Sequence, residues 1–354
     1  MKDEIQLVEI LESDYSVYML QRHRMIRLGI FYVLASTLLF AGCGLPGAVI
    51  PPASTQPPTE AALGTKGNPI VLAARPGSTR EALDAAAKAA ERLSNLTGLT
   101  IVAAPAESYT KLVEAMGAGT IQAAFLPPLA YLLAHEKGYA DAALVTVVAG
   151  QERAASEFIV NAARLVSDNG FKVYFDAASG VNMVDVSTAL AQFGDMKPCW
   201  TDAYSTAGYV LPMEILTQAG VPTKAGAFLQ GEDTVVNAIY RDTTGTLCDF
   251  GAVTVDSRTL LTAHHPDVDS KVRVVWRTDA VIPNDGIAYA KNLPDDFRVH
   301  ITAAFLAMAG SESDLALLRS AYHVEGLKLI DDSFYNDLRR YVGAADVNLP
   351  EFIR

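Results

Sequence analysis

Between Pro69 and Ala149 short apolar runs alternate with longer segments of helical period, and this alternation constrains the fold more than any other feature. Pro69–Ala74, Leu99–Ala104, Ile121–Phe125 and Ala143–Ala149 read as strands. Thr79–Leu96, with Leu83, Ala86, Ala90 and Leu93 on one face, reads as a helix, as do Ser108–Met116 and Leu129–Lys137. Strands separated by helices cannot close as hairpins, so the chain must return parallel and build an α/β sheet covered on both faces. In such sheets ligands lie beyond the C-terminal strand ends, where the helices start. Tyr109 and Tyr131 fall near such starts. Either residue can be a ligand contact or an ordinary half-buried aromatic.

The second half repeats the theme less regularly. Phe193–Trp200 leads into a helix Gly208–Gln218, Gly226–Gln230 and Cys248–Val255 read as strands, and Asp233–Tyr240 as a helix. Val272–Trp276 and Ile287–Ala290 are further strands around the turn Pro283–Gly286. Asp295–Met308, Ser311–Tyr322 and Ser333–Tyr341 are amphipathic helices expected to pack on the first half. The chain of 354 residues is long enough for two such cores.

The polar stretch Thr201–Thr206 opens the Gly208–Gln218 helix. Ser205 and Thr206, with the early N–H groups of Ala207 and Gly208, offer an anion site built from dipoles rather than from Lys or Arg, or else a plain helix cap. The net charge of −12 argues against a nucleic-acid partner but allows a local positive field at a helix start. No GxSxG, HExxH or P-loop motif is present. His264, His265, Asp267 and Asp269 lack metal-ligand spacing and read as a solvated loop, so neither metal nor cofactor is expected. Glu232 and Asp256 are either loop-end carboxylates or acceptors for a protonated ligand.

Residues 1–18 are acidic, whereas Arg22, His23, Arg24 and Arg27 precede a 14-residue apolar run, Leu28–Ala41, which is too short for a comfortable membrane span. The pattern predicts a signal peptide, with translation starting at Met19 or Met25. Leu39–Cys43 resembles a lipobox, with Phe40 where Leu is usual, and implies lipidation of Cys43. Residues 44–67, rich in Pro, Ala, Thr and Gly, read as a flexible linker. Export leaves Cys199 and Cys248, which most simply pair; closing a loop of about 50 residues is worth roughly 4 kcal/mol in the chain-entropy picture.

SYTKLVEAM (108–116), PPLAYLLAHEKG (127–138), KPCWTDAYSTAGYVLP (197–212), CDFGAVTVDSR (248–258), VIPNDG (281–286) and YHVEGLKLIDDSFYNDLRR (322–340) together resemble the phosphate/phosphite/phosphonate-binding proteins of ABC importers, over roughly 69–345. The resemblance implies a type II periplasmic-binding-protein fold, in which two α/β lobes joined by a hinge hold the ligand between them. It implies lobe 1 at 68–160 plus 266–354 and lobe 2 at 161–265. It further implies that Tyr109 and Tyr131 reach the ligand from the first lobe, and that Tyr204, Ser205, Thr206, Ala207 and Gly208 hold the phosphonyl oxygens. Asp256 would accept a P–OH proton or face an amino group. The family's usual His is replaced here by Glu232, followed by Asp233. That change leaves open a different small solute, such as a zwitterion or an organic cation. The implied role is a monomeric extracytoplasmic lipoprotein that captures a small phosphorus oxyanion and hands it to an ABC permease. An acid/base enzyme or a non-transport interaction protein are the remaining alternatives.

Overall fold

The structure is a computed structural model and describes residues 61–165, 170–344 and 348–352. The signal-peptide segment, Cys43 and residues 44–60 of the expected linker lie outside the described residues; residues 61–67 are not a free linker, because Leu63 packs on the first-lobe core and the Gly64 carbonyl accepts the Thr100 N–H at 2.7 Å.

The strands are β1 (Ile70–Ala73), β2 (Ile101–Ala104), β3 (Ala123–Leu126), β4 (Ala140–Val147), β5 (Arg153–Ala154), β6 (Ser156–Asn161), β7 (Phe175–Asp176), β8 (Val181–Asn182), β9 (Pro198–Trp200), β10 (Ala227–Phe228), β11 (Phe250–Thr254), β12 (Val272–Arg277), β13 (Ile282–Pro283), β14 (Gly286–Ala290) and β15 (Gly326–Leu329). The first lobe is built on a six-stranded sheet in the order β15-β4-β14-β3-β1-β2. The expected alternation yields the parallel β2-β1-β3 part. β14 then returns antiparallel between β3 and β4. β15, which the sequence reading did not mark, pairs antiparallel with β4 as an edge strand. Its exposed Lys328 and Leu329 explain why no apolar run announces it.

Both faces of this sheet are covered, and the two-residue period of the strands sorts side chains between them. Leu72, Phe125, Ile287 and Tyr289 pack on one face with the helices Arg80–Thr97, Asp295–Ala309 and Glu312–Tyr322. Ala73, Ala124, Leu126 and Ala288 point the other way, under the helices Tyr109–Gly117 and Pro128–Glu136 and the closing helix Asn336–Ala344. The closing helix does more than cap the first lobe. Its Tyr341 lies against the apolar cluster of the second lobe, and Arg153 from the crossing segment binds Asp337 at 2.9 Å.

The second lobe has a five-stranded sheet in the order β10-β9-β11-β6-β12. β6 and β12 both pair within it, β6 lying antiparallel to β11 and to β12. The expected boundaries at 160/161 and 265/266 therefore give way to crossings at 148–155 and 278–285. The reason is local: Ser156–Asn161 is buried along its whole length, which needs neighbours on both edges and both faces. The two crossings are tied to each other where β5 and β13 pair, Ala154 opposite Ile282 and Arg153 opposite Pro283.

Cys199 on β9 and Cys248, just before β11, form a disulfide across the parallel pair, with Cα atoms 5.5 Å apart. The loop before it is held by Asp242. Its carboxylate accepts the backbone N–H groups of Thr244, Gly245, Thr246, Leu247 and Cys248, at 2.6–3.3 Å. Burial pushes this carboxyl up, but the hydrogen bonds outweigh it and hold the pKa down at about 2. Folding thus lowers the pKa, so the stabilisation is fully present above the ordinary carboxylate range and is lost as pH falls through about 2.

Two stability predictions result. Asp242→Ala lowers unfolding free energy by about 1–2 kcal/mol at pH 7, discounted for partial exposure, with the difference shrinking towards pH 2 in chemical denaturation. The double variant Cys199→Ala, Cys248→Ala loses about 3–4 kcal/mol under oxidising conditions, and the loss disappears when both proteins are melted with reductant.

Candidate ligand-binding cleft

The stretch after β9 forms the second-lobe wall of a cleft. A cavity of about 570 Å³ is lined by Asp202, Tyr204, Ser205, Thr206, Phe228 and Gln230 from the second lobe and by Arg75, Tyr109, Pro127 and Leu129 from the first. An adjoining cavity of about 380 Å³ shares Arg75, Pro127, Tyr204, Ser205 and Thr206 and extends to Thr254 and to the crossing residues Ile282–Asp285.

The helix start at its centre has an unusual first turn. Thr206–Val210 is wound as a π-helix before the α-helix Leu211–Gln218 begins. Pro212 accounts for this. It has no N–H to give to the carbonyl of Gly208, four residues earlier, and that carbonyl accepts the Thr201 N–H at 3.3 Å instead. A Cβ at Gly208 would come 2.1 Å from Thr201 Oγ1, so only glycine allows this approach. Ser205 is the N-cap: its Oγ accepts the Gly208 N–H at 2.9 Å. Gly208 therefore spends its N–H inside the protein, contrary to the expectation that it serves a ligand. The N–H groups of Thr206 and Ala207 precede the first intrahelical donor, Tyr209, and stand at the positive end of the helix. The Ala207 carbonyl accepts the buried Ser156 hydroxyl at 2.7 Å, which pins the turn to β6.

Tyr109, at the start of its helix, lines the cleft together with Arg75. Burial raises its phenol pKa, with Arg75 opposing. Tyr131 does not reach the cleft. It is 1% exposed, its hydroxyl donates to Asp332 at 2.9 Å, and its ring lies 4.1 Å from Tyr335. Leu129 faces the cleft, and two residues further the helix has turned by about 200°, which aims Tyr131 into the first-lobe core.

Asp256 is also outside the cleft. Its side chain is 70% exposed and lies 3.6 Å from Arg277. β11 ends at Thr254, which lines the cleft, and a left-handed turn at Asp256 (φ 65°) carries the carboxylate away. Glu232 sits behind the wall. It accepts the Thr254 N–H at 2.9 Å, the Thr254 hydroxyl at 2.8 Å and the Ser257 hydroxyl at 3.1 Å. Burial raises its pKa against these donors. Three donors saturate much of the carboxylate, so Glu232 orients Thr254 instead of lining the cavity.

Sequence reasoning missed Arg75, Asp202, Phe228, Gln230, Thr254 and Asp285. Gln230 carried no motif, yet it holds a left-handed conformation (φ 63°) at the cleft, with its N–H donating to Thr201. Arg75 stands directly after the first strand, at the strand end where a ligand is expected, and its position was the available signal. Its guanidinium lies 3.1 Å from Asp285 and donates to the Tyr322 carbonyl at 3.3 Å. Among the described residues no cluster of three metal-ligating side chains occurs.

Comparison with solved structures finds the same architecture. XAC2383 from Xanthomonas citri bound to ATP aligns at TM-score 0.61 and 16% identity, covering 80% of this chain and 98% of that one. PhnD1 from Prochlorococcus marinus in complex with methylphosphonate aligns at TM-score 0.56 and 14% identity, covering 78% and 98%. A binding-protein component of an ABC phosphonate transporter from Pseudomonas aeruginosa aligns at 0.51 and 17%, covering 77% and 84%. These likenesses establish the type II periplasmic-binding-protein fold, with its two α/β lobes. No curated protein matches the sequence. The family model for the periplasmic phosphonate substrate-binding protein of ABC transporters matches residues 75–335, and the chain belongs to that family.

Proposed function

We propose that this protein captures a small phosphorus oxyanion, such as a phosphonate, phosphite or phosphate, in the cleft between its lobes. Members of its family are extracytoplasmic binding proteins that work with an ABC permease. The observation that carries the finer reading is the sharing of one cavity by the Ser205–Thr206 helix start and by Arg75 and Tyr109 from the opposite lobe. A tetrahedral oxyanion has oxygens pointing in several directions, and donors from both walls can engage them at once. Binding then favours the closed arrangement because only that arrangement completes the donor set.

A second reading is favoured by Asp202 and Asp285, two carboxylates on the cavity walls. They suit a ligand that carries an ammonium group beside its phosphonyl group. The Cys43 lipidation read from the sequence belongs to the same proposal, with the protein acting as a monomer tethered to the membrane. A Cys43→Ser variant is then released from membranes, and intact-mass measurement of the wild type shows an acylated N-terminal cysteine.

Thermal-shift and calorimetric titrations with phosphite, phosphate, methylphosphonate and 2-aminoethylphosphonate test the ligand. A specific ligand at 100 times its Kd stabilises the protein by about 2.7 kcal/mol. Ser205→Ala weakens that ligand by about tenfold or more. Gly208→Ala, which drives a Cβ into Thr201, also weakens it. Tyr131→Phe and Asp256→Asn leave affinity within about twofold, because neither side chain lines the cleft. If none of the four anions shifts the melting curve, the ligand is not a phosphorus oxyanion.

A further inference from the structure

The cleft is expected to attract an anion, yet the charges lining it do not. Arg75 faces two carboxylates there, Asp202 and Asp285. Moreover the guanidinium is already engaged. Asp285 holds one Nη2 contact at 3.1 Å, and the Tyr322 carbonyl accepts from Nη1 at 3.3 Å. Side-chain exposures of 29% for Arg75 and 22% for Asp285 leave both open to the cavity on one side.

Asp285 is fixed by its backbone. It stands between β13 and β14, and its carbonyl accepts the Thr146 N–H at 2.9 Å. The preceding Asn284 donates from its side chain to the carbonyls of Thr146 and Gln151. The carboxylate can therefore turn about its side-chain bonds but cannot leave the neighbourhood of Arg75. His323 lines the same cavity and acts on the Asp285 charge, giving a rotated carboxylate a second neighbour.

Resting on the oxyanion reading, the geometry points to Arg75 as the first-lobe cation that contacts the ligand, with Asp285 as its resident counter-ion. A ligand oxygen takes over the position that the Asp285 carboxylate occupies on the guanidinium. Until then the ion pair with Asp285 keeps Arg75 pre-oriented at the cavity wall. The exchange weakens anion binding by the work of separating a formed ion pair, and that work makes affinity depend on the charge at position 285. Asp285 is thus a specificity-determining residue. It sets how much negative charge the cleft tolerates, although it is no donor to the ligand.

The test is a double-mutant cycle in the full-length protein, with methylphosphonate as probe and calorimetric Kd as readout. Arg75→Met weakens binding by about tenfold or more, as loss of a charge-assisted contact requires. Asp285→Asn, which keeps the shape and removes the charge, tightens binding by about fivefold to tenfold. In the Arg75→Met background the gain from Asp285→Asn vanishes. Circular dichroism confirms folding, and Arg75→Lys, which keeps the charge but loses the planar fork, falls between wild type and Arg75→Met. The proposal is overturned if Arg75→Met binds like the wild type, if Asp285→Asn leaves affinity unchanged or weakens it, or if its gain persists without Arg75. Weakening by Asp285→Asn would mean that the carboxylate itself receives the ligand. Failure of the wild type to bind any of the four anions would remove the oxyanion reading and this proposal with it.

Discussion

The arrangement depends on two chain crossings that are paired to each other. The chain leaves the first sheet after β4, enters the second at β6, and returns from β12 to β14. Between these points β5 and β13 form a two-stranded ladder, the Ser156 N–H donates to the Thr278 hydroxyl, and Asn284 bonds back to the first crossing. A single crossing would let the lobes swivel about several axes. Two antiparallel crossings restrict relative motion to bending across their shared plane, so each approach of the lobes brings the same residues face to face. Arg153 and the closing helix, which touch both lobes, add a further constraint on that motion.

Within this frame the second-lobe wall is built by removing hydrogen bonds. Pro212 lacks the donor that would close a normal first turn, Gly208 lacks the side chain that would hold Thr201 away, and the resulting wide turn is capped from inside by Ser205. Two backbone donors are left at the head of a helix that is anchored by its Ala207 carbonyl to β6. Such a helix start has polarity but no net charge of its own. This suits a protein whose net charge is −12, because the attraction acts only within a few ångströms and survives the repulsive field outside.

Much of the fold was legible because it rests on periodicity. The alternating strands and helices of the first lobe and the strand at Ile287–Ala290 follow from patterns that burial imposes on a sequence, and the cysteine pair follows from the two cysteines that export would leave. β15 and β6 carry no strand signal of their own: the first is a partly exposed edge strand, and the second, SEFIVN, buries Ser156, Glu157 and Asn161 with its apolar residues, so it shows neither alternation nor a long apolar run. In the site, Ser205, Thr206, Tyr204 and Tyr109 were legible from their place at helix starts. Tyr131 and Asp256 are carried away from the cleft by local rotations of the chain: two residues along a helix in one case, one left-handed residue in the other. Sequence spacing carries no record of such rotations. Arg75 was passed over because the cradle was read as built from dipoles alone, and its partner Asp285 lies 210 positions away in a turn with no motif of its own.

The position of Glu232 alters the consequence of the histidine replacement that the sequence resemblance implies. A carboxylate that pointed into the cleft would repel a dianion directly, and the family ligand would then be excluded. Here the carboxylate is turned onto Thr254 and Ser257, and these donors stabilise its charge inside the wall. Its influence on a ligand is then indirect. It holds Thr254 at the cleft surface and contributes negative potential through one layer of protein, while Asp202 and Asp285 stand on the surface itself. Charge selection by the cleft therefore falls mainly to these two residues and to Arg75. The sequence change that looked most disruptive is absorbed by local hydrogen bonding, and the cavity's electrostatic character is decided at positions remote from it in the chain.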